Sequence, residues 1–279
     1  LTDVTGVQTC ALPIYRFEYV YHLAAYAAEG LSHFIRRFNY ENNLIGSVNL
    51  INAAVHAGTR CFVFTSSIAV YGSQTPPFDE DTIPCPIDPY GIAKYAVELD
   101  LRAAHAMWGM NYIIFRPHNV YGERQNIGDK YRNVIGIFMN RILQGQDLPV
   151  FGDGEQTRAF SYIDDIDQVI AGAVFNEQAY NRVFNVGADQ DYSVNQLAQT
   201  VLAVMGADNP IRYLPARHEA VHAFSSHQRM KEVFGCSPRV DLREGLERMA
   251  AWVRQAGSRK SQDFGHIEVA KGLPPSWRS

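Results

Sequence analysis

Phe64-Thr65-Ser66-Ser67-Ile68-Ala69-Val70-Tyr71-Gly72 closes an apolar run that begins at Cys61, and Pro89-Tyr90-Gly91-Ile92-Ala93-Lys94 opens the next ordered segment. Cys61-Phe62-Val63-Phe64 has the continuous apolar character of a strand covered on both faces of a parallel sheet. Tyr90 and Lys94 are four residues apart, so a helix over 90–108 stacks them on one face. An ammonium beside a phenol favours the phenolate and lowers its pKa. Ser67, at the strand end, can meet the pair from the sheet side. The three groups suit proton transfer to or from an alcohol.

Upstream, Tyr19-Val20-Tyr21-His22-Leu23-Ala24-Ala25 reads as a short strand whose small final residues let a ligand approach the backbone. Residues 29–39 read as a loop or short helix. Residues 42–56 read as a helix with Leu44, Ile45, Val48, Leu50, Ile51 and Val55 apolar and Gly58 as its stop. Downstream, Gly109 stops the 90–108 helix and Tyr112-Ile113-Ile114-Phe115 is another buried strand. Strand, helix, strand, helix, strand at this spacing predicts a parallel, right-handed, doubly wound α/β sheet. The proline-rich loop 72–88 has a length that usually carries function. After Arg116 the elements shorten, with helices over 134–144, 164–175, 194–205, 226–234 and 242–255 and strands over 148–151, 182–186 and 211–214. The polar tail from Gly257 either docks or frays.

The chain has 279 residues, enough for one large domain or two ordinary ones, and is 47% hydrophobic and 19% charged. A net charge of -4 gives no electrostatic case for nucleic acid or an anionic membrane surface. No apolar run approaches the roughly 18–20 residues that span a bilayer. Cys10, Cys61, Cys85 and Cys236 show neither metal-ligand nor redox spacing, which predicts no metal site and a reducing, cytoplasmic setting. Residues 1–14, with Val4-Thr5-Gly6-Val7-Gln8-Thr9-Cys10-Ala11-Leu12-Pro13-Ile14, read as the translation of a sequencing-adapter oligonucleotide. They are set apart from the fold, and the native gene is expected to begin upstream.

Over about residues 20–252 these features resemble the extended short-chain dehydrogenase/reductase superfamily, and within it the NAD-dependent epimerase/dehydratase family, nearest the UDP-glucose 4-epimerase type. The resemblance rests on His22-Leu23-Ala24-Ala25, Asn43-x-x-Gly46, Ser67 before Val70-Tyr71-Gly72, and Tyr90-x-x-x-Lys94. Further on it rests on Arg116-Pro117-x-Asn119-Val120-Tyr121-Gly122, Phe151-Gly152-Asp153-Gly154, Arg158, Tyr162-Ile163-Asp164-Asp165 and Asn185-Val186-Gly187. Tyr-x-x-x-Lys alone is a weak signal; the ordered set is specific. It implies a Rossmann-like sheet with a smaller C-terminal α/β substrate domain. Residues 15–118 would be the remnant of the NAD-binding domain and 119–256 mainly the nucleotide-sugar domain. A segment near 160–187 would return to the first, and 257–279 would form a tail. One departure stands out. The family's Gly-rich turn, which seats the cofactor pyrophosphate on a helix N-terminus, is absent, as is the residue that reads the adenosine ribose. The first βαβαβ half is therefore expected to be missing, and this chain to bind NAD poorly and to be inactive as it stands.

The resemblance assigns roles residue by residue. Tyr90 would take the proton of the sugar C4 hydroxyl, Lys94 lower the tyrosine pKa, and Ser67 hydrogen-bond the reacting oxygen. Leu23, Ala24, Ala25, Thr65, Tyr90, Lys94 and Pro117 would line the cofactor. Asn119, Arg158 and Arg217 would hold the diphosphate of a UDP-sugar, since a diphosphate suits guanidinium forks and amide donors. Arg217 reads equally as a surface ion pair, and Glu219 as a partner for a ribose hydroxyl. His22 and His118 read as packed histidines, and Asp164 and Asp165 as caps on their own helix. Dehydratases of the family tend to place Asp-Glu after the serine position; Ile68 and Ala69 stand there, which disfavours dehydration. Helices 42–56 and 90–108 are the pair through which the family forms homodimers, and their apolar positions read equally as internal core. The leading expectation is a NAD-dependent nucleotide-sugar 4-epimerase. The alternatives are another nucleotide-sugar-modifying enzyme of the family (decarboxylase, dehydratase or reductase), or a non-catalytic nucleotide-sugar binding protein.

Overall fold

In chain order the strands are β1 (Tyr19–His22), β2 (Cys61–Thr65), β3 (Asn111–Pro117), β4 (Val120–Tyr121), β5 (Leu148–Phe151), β6 (Thr157–Ala159), β7 (Ser161–Tyr162), β8 (Arg182–Val186), β9 (Asp191–Ser193), β10 (Ile211–Leu214) and β11 (His222–Ala223). The helices are α1 (Glu29–Ser32), α2 (Arg36–Tyr40), α3 (Gly46–Ala57), α4 (Pro89–Trp108), α5 (Val134–Leu143), α6 (Asp164–Gly172), α7 (Val194–Met205), α8 (Gln228–Phe234) and α9 (Leu242–Ala256). This computed structural model describes residues 16–217, 219–261 and 263–278; the adapter-like segment 1–14 lies outside them.

The main sheet is parallel throughout, in the order β1-β2-β3-β8. Alternate residues of β2 serve opposite faces, as strand geometry requires. Phe62 and Phe64 pack with Ile51, Val97, Leu101 and Ile114 on one side. Cys61 and Val63 pack with Ile166, Ile170, Phe184 and Met230 on the other. With both faces covered, the unbroken apolar run is explained. A second layer is built around Phe138, Leu197, Leu246 and Met249 of α5, α7 and α9. Beside it β10 pairs with β5, and β6 pairs with β9 and β11.

Local signals start and stop the helices that matter. Asp88 Oδ1 accepts the Gly91 amide at 2.9 Å with Pro89 in the first turn, and Gly109 closes α4 in the left-handed conformation. The helix expected over 42–56 arrives differently, as a π-helical turn Glu41–Ile45 followed by α3. That turn brings two buried amides inward. Asn43 exchanges hydrogen bonds with the Tyr26 backbone at 2.8 and 3.0 Å, and Asn39 Nδ2 donates to the Pro89 carbonyl at 2.8 Å. Periodicity cannot show such a wide turn. Asp164 and Asp165 also differ from expectation. Asp165 accepts the amides of Arg239 and Val240, Asp164 pairs with Arg248, and neither caps α6.

The tail docks. Asn140 exchanges two hydrogen bonds with the Arg259 backbone, the Glu268 carboxylate accepts the amides of Arg37 and Phe38 at the start of α2, and Trp277 is buried. Among the described residues no helix is long and apolar enough to cross a membrane.

Candidate active site

Ser67 leaves β2 in an extended conformation, and its Oγ accepts the Ala69 amide at 3.1 Å. This starts the tight 3-10 turn Ile68–Tyr71, which lies directly on the first turn of α4. A Cβ at Gly91 would stand 2.6 Å from the Ala69 carbonyl oxygen, so only glycine permits this approach. The approach sets the Ser67 side chain beside Tyr90 in one cleft, where it favours the phenolate. From the opposite side the Tyr90 amide donates to Ser32 Oγ at 3.3 Å, tying α1 to the helix start.

Tyr90 and Lys94 are both buried. Burial pushes the Tyr90 phenol above its ordinary pKa; the Ser67 hydrogen bond pulls it down, while Glu29 and Asp88 push it up. Lys94 Nζ donates to the Thr65 carbonyl at 2.7 Å and sits 4.7 Å from the Phe64 ring centroid and 5.8 Å from that of Tyr90. Burial lowers its pKa to about 7, with Glu98 opposing. In this state the Lys94 ammonium is directed at a backbone carbonyl and two ring faces.

A buried network missing from the sequence reading holds these groups. Glu98, one turn beyond Lys94, takes a bidentate pair from Arg116 at 2.9 and 2.6 Å and the Ser66 hydroxyl at 2.6 Å. Arg116 Nη1 donates to Tyr71 Oη at 2.7 Å, and Tyr71 donates to Asn185 Oδ1 at 2.8 Å. Burial alone would depress Arg116, yet the Glu98 carboxylate drives its pKa above the ordinary value. The signal was present: Tyr90, Lys94 and Glu98 form a stripe at successive spacings of four.

Ser67, Tyr90, Pro117, Asn119, Arg158, Arg217 and Glu219 line one cleft, of about 380 Å³. Lys94 and Thr65 lie behind its wall, and Leu23 and Ala24 are exposed beyond the end of β1. Asn119, at positive φ, donates to the Ala159 carbonyl at 3.0 Å. The Arg158 guanidinium is occupied by the carbonyls of Thr157, Val221 and Ala220 at 2.6–2.9 Å, so it borders the cleft without presenting a free fork. Arg217 answers to both of its readings. It pairs with Glu219 at 3.0 Å, and its Nε is buried without a partner. Its guanidinium carbon lies 4.0 Å from the Phe151 ring centroid and 5.3 Å from that of Trp277. A flat cation between two rings with an orphaned donor fits an anionic ligand. Sequence reasoning missed Trp277 and Glu29 in this cleft, because each reaches it through contacts far apart in the chain.

His118 and His227 face each other at 2.9 Å between the nitrogens, with Asp189 on His227, as a buried packing pair. Among the described residues no group of three or more His, Cys, Asp or Glu could hold a metal ion.

The residues present fit the nicotinamide end of a dinucleotide. Tyr90 and Pro117 border the cleft, Lys94 sits behind them, and the open end of β1 leaves the backbone of Leu23 and Ala24 accessible. The profile of the NAD dependent epimerase/dehydratase family matches residues 2–187. A UDP-glucose 4-epimerase of Mycolicibacterium smegmatis is 31% identical over 255 residues, 90% of this chain and 80% of that protein. A UDP-N-acetyl-alpha-D-glucosaminuronate decarboxylase of Bacillus cytotoxicus is 31% identical over 231 residues, 77% of this chain and 70% of that protein. The crystal structure of a Thermotoga maritima UDP-glucose 4-epimerase with UDP-glucose superposes with a TM-score of 0.85 at 34% identity, covering 90% of this chain and 82% of that one. With the family profile spanning the sheet and its catalytic-type triad, the chain belongs to the NAD-dependent epimerase/dehydratase family.

Proposed function

We propose that the chain is a nucleotide-sugar 4-epimerase of the UDP-glucose/UDP-galactose type. The observation that carries this reading is the cleft itself: Ser67 and Tyr90 at one end, and Arg217 with its unpartnered Nε against Phe151 and Trp277 at the other. A sugar diphosphate laid along it brings the sugar to the tyrosine. Tyr90, once its own proton has been released and it stands as the phenolate, takes the C4 hydroxyl proton, and Ser67 holds that oxygen by a hydrogen bond. Lys94, with a pKa near 7, carries or sheds a proton behind the phenol at little cost. NAD, when bound, supplies the hydride acceptor for C4. The same residues return the proton after the keto sugar has turned over.

Ile68 and Ala69, buried beside Ser67, offer no acid or base for elimination, which supports epimerisation over dehydration. Decarboxylation remains the second reading because a decarboxylase is as similar in sequence. A homodimer through α3 and α4 is supported by the exposed Ile45 at the start of α3 and by Ile92, Leu99, Met107 and Trp108 on α4. The free thiols Cys61, Cys85 and Cys236 suit a cytoplasmic setting.

Conversion of UDP-galactose to UDP-glucose is the test; because the Gly-rich cofactor turn is absent from this sequence, turnover is expected when a chain carrying that turn is assayed with NAD. Tyr90→Phe is expected to lower turnover by about 10²–10⁴-fold while UDP affinity stays nearly unchanged. Turnover unaffected by that substitution would remove Tyr90 from the chemistry.

A further inference from the structure

Glu29 has no role in the reaction as described, yet it lines the same cleft as Ser67, Tyr90, Arg158 and Arg217. Its neighbours fix where it stands. Three residues on, Ser32 Oγ accepts the Tyr90 amide, and the same hydroxyl donates to the Glu29 carbonyl at 2.6 Å. One residue on, Gly30 lies against the other end of the cleft: a Cβ there would be 3.3 Å from the Trp277 ring and 3.6 Å from Arg217 Nη1. The α1 backbone thus bridges the tyrosine end to the arginine end, with Glu29 at the seam. Its side chain is open to the cleft and feels the charges of Asp88, Arg158, Arg217 and Glu219, the last three of which also line the cleft with Tyr90.

We propose that Glu29 sets the sugar class of this cleft, accepting hydrogen bonds from the hydroxyl or acetamido groups of an uncharged hexose and excluding sugars that carry a C6 carboxylate. The inference rests on the reading of the cleft as a UDP-sugar site. With the diphosphate at Arg217 and C4 at Tyr90, the pyranose ring must lie across the seam. Epimerisation turns the ring over, so the C2/C3 edge and the C5/C6 edge face Glu29 in turn. A carboxylate on the ring then shares the cleft with the glutamate carboxylate, and the two like charges repel. Burial and Asp88 push the Glu29 carboxyl up to about 7, with the two arginines opposing, so it is ionised in mildly alkaline solution.

The experiment is calorimetric titration of the whole chain at about pH 8.5, where Glu29 is charged, with UDP, UDP-galactose and UDP-galacturonate. The two sugars differ only at C6. UDP-galactose is expected to bind at least about tenfold more tightly than UDP-galacturonate, as a like-charge juxtaposition demands. Glu29→Gln is expected to close most of that gap while leaving UDP affinity within about twofold. Equal affinity of the unaltered chain for both sugars overturns the inference, and needs no variant. So does a gap that persists in Glu29→Gln while UDP still binds. Failure of UDP itself to bind overturns the reading of the cleft and the inference with it; UDP binding with no sugar discrimination overturns the inference alone.

Discussion

Lys94, behind the wall of the cleft, carries a strong electrostatic tension. Its ammonium is buried, satisfied by one carbonyl and two ring faces, and its pKa falls from 10.5 to about 7. Below pH 7 folded and unfolded chains both hold the proton, and the folded one bears the full cost of burying the charge. Between 7 and 10.5 the unfolded chain holds the proton that the folded one has released, so stability rises with pH across that window. Urea midpoints measured through it are expected to climb in the unaltered chain and to stay flatter in Lys94→Met. A parallel climb in both would place the titrating group elsewhere. Tyr90, Lys94 and Ser67 were legible in the sequence because their relation is local: one helical turn and one strand end. Glu29 and Trp277 were not, because they meet Arg217 across separations of nearly 190 and 60 residues that no spacing rule encodes.

Between elements, the buried Glu98–Arg116 pair performs the positioning. It joins α4 to β3, and through Ser66 and Tyr71 it joins both to the strand end that carries Ser67. Removing one partner strands a buried charge, so Glu98→Met is expected to cost about 3–5 kcal/mol of stability. Replacing both, in Glu98→Met with Arg116→Met, is expected to recover much of that loss, because the volumes stay filled and no charge is left unpaired. Chemical denaturation of the four members of this cycle measures the coupling; strictly additive losses would show that the pair acts independently. Elements of four or more residues with one-sided or continuous apolar patterns, such as β2, β3, α4 and α7, could be read directly. The two- and three-residue strands β4, β6, β7, β9 and β11 could not, since a period of two has no statistical weight over so short a run. The π-helical turn before α3 was hidden for a different reason: it is imposed by where Asn39 and Asn43 find partners.

At the scale of the whole molecule, the tail decides how the two layers meet over the cleft. It leaves α9, binds α5 through Asn140, crosses to α2 through Glu268 and ends with Trp277 against Phe34, Tyr131, Phe151 and the Arg217 guanidinium. The three large cores contain no tail residue, whereas in the small cluster Leu273 and Trp277 of the tail cover Ala28, Leu31, Ile35 and Tyr131. Folding and ligand grip are therefore separable. A chain ending at Ala256 keeps every helix and strand of the three large cores and is expected to unfold cooperatively. Its Arg217 retains Phe151 and loses the indole, a cation–π contact of about 0.5–2 kcal/mol, so UDP affinity is expected to fall by about two- to thirtyfold. Trp277→Ala in the full chain should reproduce most of that loss without removing the strap. If the shortened chain binds UDP as tightly as the full one, Trp277 merely covers the cleft; if Trp277→Ala binds normally and the shortened chain does not, the grip comes from the strap's hold on α2 and α5.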